Sequence, residues 1–160
     1  MAGVLSEEFR RACGRFATGV CIASVVDRGG TPHGLTVSSF TSVSLEPPLI
    51  LICLGHAVTN VGDFRAAPYF GLSILRDDHQ RISDRFAQKG HDRFDGIEWH
   101  SGDTGVPLIT RAIATIECAT YQRVTSGDHD IFIGEVIRTC VNEGSPLVYY
   151  ASRYRKLLDD

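Results

Sequence analysis

Several features that define common classes of protein are missing from this sequence of 160 residues. No apolar run approaches the roughly 20 residues that a membrane-spanning helix needs, and the N-terminus has no signal-peptide pattern. The net charge is −3 and the basic residues form no long run, so the chain has no electrostatic footprint for nucleic acid. We therefore expect a cytoplasmic protein that binds neither membranes nor nucleic acids.

Motifs for metal, phosphate and hydrolase chemistry are also missing. The histidines show no metal-ligand spacing, and His-Glu-x-x-His and Gly-x-Ser-x-Gly are both absent. No Gly-x-Gly-x-x-Gly follows a predicted strand, and there is no Gly-Lys-Ser/Thr phosphate loop. The sequence therefore excludes a Rossmann-type dinucleotide site and predicts no metal centre.

The cysteines are odd in number and include no Cys-x-x-Cys pair: Cys13, Cys21, Cys53, Cys118 and Cys140. Their apolar surroundings favour buried free thiols in a reducing compartment over disulfides or zinc ligands. The composition, 43% hydrophobic and 22% charged, is that of an ordinary globular protein. We expect a single domain over residues 1–160.

The order of the predicted elements favours a barrel. Amphipathic helices are expected at residues 6–17 and 77–88, with a shorter helix at 58–66 that Pro68 ends. Strands are expected at residues 20–26, 49–54, 69–75, 113–124, 130–141 and 147–151. Because strands outnumber helices and the helices are not regular crossovers, we predict a mainly β, antiparallel Greek-key barrel rather than a doubly wound sheet.

Apolar spacing adds two further expectations. Phe9, Ala12, Cys13 and Phe16 recur at helical spacing, so one face of the first helix is expected to be apolar. Residues 89–107 are rich in glycine and polar residues, but they also contain aromatic side chains such as Trp99. We expect this segment to be an ordered excursion, because such aromatics usually pack onto a core.

The most unusual stretch of the chain is 33–54. After Gly34 it gathers hydroxyl residues: Thr36, Ser38, Ser39, Thr41, Ser42 and Ser44. After Pro47 and Pro48 it becomes an unbroken apolar run, which predicts a strand buried on both faces. The hydroxyl residues fit two interpretations: a Ser/Thr-rich strand and turn, or a site where hydroxyls and backbone amides bind an anion such as phosphate.

The sequence GLTVSSFTSVSLEPPLILICL at 34–54 resembles the signature segment of the short-chain flavin reductases. These are the reductase partners of two-component flavin-dependent monooxygenases. Four more blocks resemble family blocks in the same order: FATGVCIAS at 16–24, SDRFA at 83–87, GDHDIFIGEV at 127–136 and PLVYYASRYRKL at 146–157. The resemblance implies an FMN-binding split barrel that works as a homodimer, with flavin near the subunit interface.

The resemblance also implies where a flavin would bind. Hydride transfer between stacked rings needs positioning and exclusion of water rather than a protein nucleophile. The matching flavin-binding positions are Gly34, Thr36, Val37, Ser38, Ser39, Cys53, Leu54, Gly55, Asn60, Arg85 and Phe86. Among them, Asn60 at the start of a short helix is expected at the phosphate, and Arg85 with Phe86 is expected to close over the flavin.

The GDH block supplies the candidate catalytic residue, His129. Taken alone, a turn histidine between two aspartates would be a solvated surface residue. By resemblance, it positions the nicotinamide through a hydrogen bond from its ring. Tyr149, Ser152, Arg153 and Tyr154 are expected to wrap the same cofactor.

The expected activity is that of an NAD(P)H:flavin oxidoreductase, which reduces FMN or FAD and passes the reduced flavin to a separate monooxygenase. Two alternatives remain open: a split-barrel oxidase with tightly bound FMN, and a non-catalytic flavin- or haem-binding module. The GDH and YYASRY blocks favour the reductase, because a module that only binds flavin has no need to seat a nicotinamide. The residues do not decide between FMN and FAD, or between NADH and NADPH.

Overall fold

The computed structural model describes residues 3–90 and 92–157. Its helices are α1 (Ser6–Cys13), α2 (Val61–Ala66) and α3 (Gln80–Ala87). Its strands are β1 (Thr18–Gly19), β2 (Cys21–Val26), β3 (Pro32–Val37), β4 (Thr41–Leu45), β5 (Pro48–Gly55), β6 (Tyr69–Ile74), β7 (Trp99–Ser101), β8 (Pro107–Ile109), β9 (Ala114–Ser126), β10 (His129–Val141), β11 (Val148–Tyr150) and β12 (Arg153–Arg155).

Seven strands form one antiparallel sheet in the order β3-β2-β6-β9-β10-β5-β4. The two longest strands, β9 and β10, form a hairpin around Gly127, whose φ of 61° suits a residue without a side chain. Six strands contribute to one apolar core, and β4 adds to the sheet edge beside β5. The predicted antiparallel split barrel is confirmed.

Side chains point alternately to the two faces of the strands, and the buried ones form two apolar clusters. The barrel core contains Cys21, Ala23, Val25, Leu35, Val37, Ile50, Ile52, Leu54, Val61, Phe64, Ala67, Phe70, Leu72, Cys118 and Phe132. A second cluster contains Val20, Ile22, Leu75, Phe86, Phe94, Ile109 and Leu147. Strand β2 contributes to both clusters from its two faces, which is why five of its six residues are buried.

The barrel is split between β3 and β5, which are not hydrogen-bonded neighbours in the sheet order. Ser39, just after β3, spans this gap with its side chain. Its hydroxyl donates to the Cys53 carbonyl oxygen at 3.0 Å and accepts from the Cys53 N–H at 2.9 Å. One hydroxyl thus links the two sides of the split in place of a strand ladder.

The helices are shorter than the sequence predicted. Helix α1 ends at Cys13, where the Gly14 N–H bonds to the Arg10 carbonyl, and does not continue to residue 17. The single chain leaves the apolar face of this helix uncovered, because no residue of α1 is buried and Phe9 and Phe16 are 62% and 78% exposed. Turns precede the two later helices, which therefore begin at Val61 and Gln80, later in the chain than predicted.

Two expectations about burial also need correction. Strand β5 is not buried on both faces, because its residues alternate between buried and partly exposed. Cys21 and Cys118 are buried, which raises the pKa of each thiol to about 12. Cys13 and Cys140 are exposed, since one belongs to the uncovered helix and the other to the open end of β10.

The segment after α3 packs against the core as an ordered excursion. Phe94 is 5% exposed and meets Phe86 edge-on, with ring centroids 4.8 Å apart. Trp99 packs in turn against Phe94 at 5.6 Å. Across residues 3–90 and 92–157, no helix has both the length and the apolar character needed to cross a membrane.

Candidate active site

A groove opens beside β3, between α3 and the hairpin formed by β11 and β12. Two adjoining cavities of about 210 and 240 Å³ form it and share Thr36 and Ala87. Together they fall in the size range of ligand pockets, roughly 300–1,000 Å³. We call the first the tyrosine cavity, lined by Val20, Thr36, Ser38, Ser83, Ala87, Tyr149 and Tyr154. We call the second the arginine cavity, lined by Leu35, Thr36, Ala57, Val58, Thr59, Phe86, Ala87, Lys89 and Arg93.

Gly34 allows β3 to approach α3 closely beneath this groove. A Cβ at this position would lie 2.8 Å from Phe86 Cε1 and 3.2 Å from the Ala23 carbonyl oxygen. Phe86 is 1% exposed, so its ring is a core side chain that also lines the arginine cavity. Any side chain at Gly34 would therefore have to displace a buried ring.

Hydroxyl groups tie β3 to α3 and to the C-terminal hairpin. Thr36 Oγ1 donates to the Ser83 carbonyl at 2.6 Å, and Ser83 Oγ lies 2.8 Å from the Tyr154 hydroxyl. Tyr154 donates to Asp84 Oδ1 at 2.9 Å, and burial raises the pKa of its phenol. Tyr149 packs edge-on against Tyr154 at 5.4 Å, so two coupled aromatic rings line one side of the groove.

The turn of this hairpin holds two of the predicted nicotinamide contacts away from the groove. Ala151 and Ser152 have φ values of 49° and 62°, as both central residues of a tight type I′ turn require. The Ala151 N–H donates to the Gly14 carbonyl at 2.9 Å, which ties the turn to the end of α1. Ser152 and Arg153 are exposed and line neither cavity, unlike Tyr149 and Tyr154.

Arg93 is a buried cation that the sequence interpretation missed. It is 8% exposed and donates to the carbonyls of Gly34 at 2.6 Å and Gln88 at 2.9 Å, and to Asn60 Oδ1 at 3.5 Å. Burial lowers the pKa of its guanidinium, and within residues 3–90 and 92–157 it forms no ion pair with a carboxylate. A buried cation with only neutral acceptors favours an anionic ligand.

Two other polar groups share the arginine cavity. Lys89, which follows α3, and Thr59, which precedes α2, both line it. The sequence did offer one indication of this cationic site, because Lys89 and Arg93 are four residues apart just after the SDRFA block. Ammonium, guanidinium and hydroxyl groups in one cavity are a suitable donor set for a phosphate.

Three of the predicted flavin-binding side chains make internal bonds and line neither cavity. Ser39 closes the split of the barrel. Asn60 is 5% exposed and lies 2.8 Å from His33 Nδ1 through its Nδ2. Arg85 donates to the carbonyls of Arg93 at 2.8 Å and Asp92 at 3.0 Å, so it holds the loop that carries Arg93.

The other predicted flavin contacts divide between groove and core. Thr36 lies at the junction of the two cavities, and the exposed Ser38 lines the tyrosine cavity. Val37 and Leu54 are buried in the barrel core, so only their backbone can serve a ligand. Cys53 is partly exposed, and burial raises the pKa of its thiol.

His129 lies at the same end of the barrel as the arginine cavity. In the ladder between β10 and β5 it is paired with Gly55, at the end of β5. Ala57, two residues further along the chain, lines that cavity. Its Nε2 is 3.4 Å from where a Cβ on Gly55 would lie, and its Nδ1 is 2.7 Å from Asp128 Oδ1. This bond lowers the pKa of Asp128, and the His129 side chain is 50% exposed. The ring is thus oriented by Asp128 and accessible to a ligand.

A buried carboxylate braces the turn that carries His129. Asp130 has no exposed surface and accepts from Arg65 Nε at 2.7 Å and Thr125 Oγ1 at 2.7 Å. His56 Nε2 lies 3.2 Å from the same carboxylate. The hydrogen bond from Arg65, followed by that from Thr125, holds the pKa of Asp130 far below its usual value. Asp130 therefore remains ionised and ties three elements together.

A larger cavity of about 410 Å³ lies on the other side of α2. Two carboxylates, of Asp27 and Asp63, and one cation, Arg28, line it, so its net negative charge disfavours a phosphate. Within the described part of the chain, no cluster of three His, Cys, Asp or Glu residues is arranged to hold a metal ion. The groove beside β3 is therefore the better candidate for the active site.

Residues 13–158 match the family described as flavin reductase like domain. The chain belongs to this family. This flavin reductase-like protein is 42% identical over 149 residues to the actinorhodin polyketide dimerase of Streptomyces coelicolor, covering 92% of this chain and 84% of that protein. It is 39% identical over 161 residues to an NADH-dependent FAD reductase of Streptomyces globisporus, covering 96% and 86%.

A third relative is the reductase component of the flavin-dependent trigonelline monooxygenase of Acinetobacter baylyi. It is 37% identical over 147 residues, which are 92% of this chain but 47% of the longer relative. The solved structure of the Streptomyces globisporus NADH:FAD oxidoreductase SgcE6, in complex with NAD and FAD fragments, has a TM-score of 0.91 at 36% identity and covers 99% of both chains. The predicted family, fold and enzyme class, that of a flavin reductase, are confirmed.

Proposed function

We propose that this protein transfers a hydride from NADH to FMN or FAD and releases the reduced flavin to a separate monooxygenase. The observation that carries the proposal is the groove, where the hydroxyls of β3 meet a wall of two tyrosines and a buried arginine that has no carboxylate partner among the described residues. The relatives named as NADH-dependent FAD reductase and as a monooxygenase reductase component support this choice over an oxidase or a haem module.

The residues present fit a flavin. Arg93, Lys89 and Thr59 offer donors for its phosphate in the arginine cavity. Thr36 and Ser38 offer hydroxyls along β3. We therefore assign the phosphate contact to Arg93 rather than to Arg85 and Asn60. Arg85 supports phosphate binding indirectly, because it holds the loop that carries Arg93.

Bound flavin supplies the ring that accepts the hydride, and the protein supplies position and shielding. We assign to Tyr149 and Tyr154 the wall that excludes water and packs against the cofactors. His129, oriented by Asp128, donates a hydrogen bond that holds the nicotinamide carboxamide. No protein nucleophile is required for this reaction.

We also propose that the protein is a homodimer. Large apolar side chains are exposed on the single chain, including Phe9 and Phe16 near α1, Leu45 at 91% and Val141 at 81%. Apolar surface of this extent usually marks an interface. Light scattering should give the mass of two chains at micromolar concentration, and a monomer mass would contradict the proposal.

We further propose that the protein is cytoplasmic and that residues 1–160 form a single domain. The free thiols and the proposed use of NADH support the cytoplasmic location.

Nicotinamide absorbance tests the proposed activity directly. The protein is mixed with NADH and, in separate samples, with FMN, FAD, riboflavin or no flavin, and a parallel series uses NADPH. We expect NADH oxidation that depends on added flavin. No NADH oxidation under any of these conditions would contradict the proposed activity and leave the oxidase with bound FMN or the binding module.

Release of the reduced flavin needs a separate test. Cytochrome c is placed behind a dialysis membrane that retains both proteins, under anaerobic conditions with NADH and FMN. We expect reduction of cytochrome c, because reduced FMN crosses the membrane and the enzyme does not. NADH consumption without reduction of the cytochrome would show that the reduced flavin stays bound.

A further inference from the structure

We propose that His33 is a positioning residue that controls the orientation of Arg93, and hence the affinity for the flavin phosphate, through the protonation state of its ring. The inference rests on the proposed function in one respect, the assignment of the phosphate to Arg93. His33 does not line the arginine cavity and would touch no part of the flavin.

A line of buried and half-buried polar side chains connects the turn after β2 with the arginine cavity. His33 Nε2 lies 2.9 Å from Asp27 Oδ2, and His33 Nδ1 lies 2.8 Å from Asn60 Nδ2. Asn60 Oδ1 then accepts from Arg93 Nη1 at 3.5 Å. The His33 side chain is 13% exposed, and Asn60 and Arg93 are more deeply buried. Each member is thus held by its neighbours rather than by solvent.

The neighbours of Asn60 determine which nitrogen of His33 carries the proton. Arg93 can only donate, so it faces Asn60 Oδ1. Asn60 Nδ2 faces the Asp63 carboxylate at 3.4 Å, which can only accept when ionised. The amide therefore presents N–H to His33 Nδ1, which must be unprotonated, and the ring proton lies on Nε2 facing Asp27. The hydrogen bond from His33 lowers the pKa of Asp27 and keeps this acceptor ionised.

A second proton on His33 would disturb this arrangement. It would place an N–H on Nδ1 against the N–H of Asn60 across 2.8 Å, which is a contact between two donors. Turning the amide removes that conflict but directs its NH₂ group at Arg93, again donor to donor. Of its acceptors among the described residues, Arg93 then loses one and keeps the carbonyls of Gly34 and Gln88. Its guanidinium is held less firmly in the cavity that receives the phosphate.

The charges around His33 indicate that this effect acts through the amide rather than by direct attraction. Asp27, from the turn after β2, lies 2.9 Å away, and Asp63, from α2, lies 3.9 Å away. Arg93, from the loop after α3, is separated from His33 by Asn60. The two carboxylates balance the charge of a protonated ring, so that charge adds little attraction for a phosphate. Protonation of His33 should therefore weaken binding.

The test compares FMN with riboflavin, which lacks the phosphate, by flavin fluorescence between about pH 8 and about pH 5.5. His33→Gln cannot titrate, but its carboxamide offers an N–H to Asp27 and an oxygen to Asn60. The pH dependence of FMN binding by this variant is the baseline, because the phosphate of FMN itself gains a proton near pH 6. His100→Gln, at an exposed histidine in β7, is the matched control. His33→Ala removes both hydrogen bonds, and thermal melting checks that each variant is folded.

As the pH is lowered, the FMN affinity of the parent protein should fall about fivefold more than that of His33→Gln, and His100→Gln should behave like the parent. A fivefold difference corresponds to about one lost hydrogen bond. Riboflavin affinity should show no such difference, and glutamine should restore most of what alanine loses. Parallel pH profiles for the parent and His33→Gln, or an equal response of riboflavin, would overturn this inference alone. A parent protein that binds neither flavin would overturn the proposed function together with it.

Discussion

Replacing Arg93 with glutamine tests which group holds the flavin phosphate. The guanidinium is 8% exposed and its partners in the described residues are two carbonyls and an amide oxygen. A hydrogen bond to a charged group contributes about 1.5–3 kcal/mol. Loss of one such bond to the phosphate should therefore weaken FMN binding roughly 10- to 150-fold.

The same replacement should affect the stability of the unliganded protein much less. Gly34 and Gln88 lose a donor for their carbonyls, but the protein no longer buries a cation that has no carboxylate partner among the described residues. Since the two effects oppose each other, we expect the free energy of unfolding to change by no more than about 1–2 kcal/mol. Urea titration of Arg93→Gln and the parent protein measures this difference.

The decisive assay is the ratio of FMN affinity to riboflavin affinity. Arg93→Gln should lower that ratio by more than tenfold, whereas the matched control Arg85→Gln should lower it about threefold, because Arg85 only supports the loop. Equal losses of FMN and riboflavin binding in Arg93→Gln would refute the reasoning. A larger change in the ratio for Arg85→Gln would return the phosphate contact to Arg85.

Three other perturbations follow from the packing. Gly34→Ala should lower the free energy of unfolding by about 1–3 kcal/mol in urea titration, because its Cβ would meet the buried Phe86 ring at 2.8 Å. The pKa of Asp130 is held down in the folded state, so its stabilising effect is present above about pH 4 and is lost below it. Asp130→Asn should thus lower the melting temperature at neutral pH and flatten its decline in acid. His129→Ala should raise the KM for NADH or slow hydride transfer about ten- to a hundredfold while leaving flavin affinity unchanged, measured by steady-state kinetics and fluorescence.

The strands were largely predictable because turn residues and alternation mark them. The β9–β10 hairpin and the turn after β2 fall where glycine and aspartate interrupt β-branched runs. The apolar stripe of α1 was visible as well, but a periodic pattern only shows which face avoids water. It does not show whether the same chain covers that face, and for Phe9 the described chain does not.

The site was predictable in its blocks but not in its side-chain directions. The signature segment, SDRFA and the tyrosine-rich C-terminal block do meet in one groove. Arg85 and Arg93 are eight residues apart, and nothing in their spacing shows that one supports the loop while the other faces the cavity. Ser39 could not be distinguished from Ser38 for the same reason, since its bond to Cys53 depends on how the barrel closes.

Anaerobic mixing of NADH with the protein and stoichiometric FMN tests the central claim most directly. Diode-array absorbance follows the nicotinamide and flavin bands together in a single turnover. We predict that both bands decay with the same rate constant, one NADH consumed for each flavin reduced, and that His129→Ala slows both equally under conditions where NADH limits the rate. Flavin that is bound, as its quenched fluorescence would show, but that stays oxidised in the presence of NADH would contradict the account.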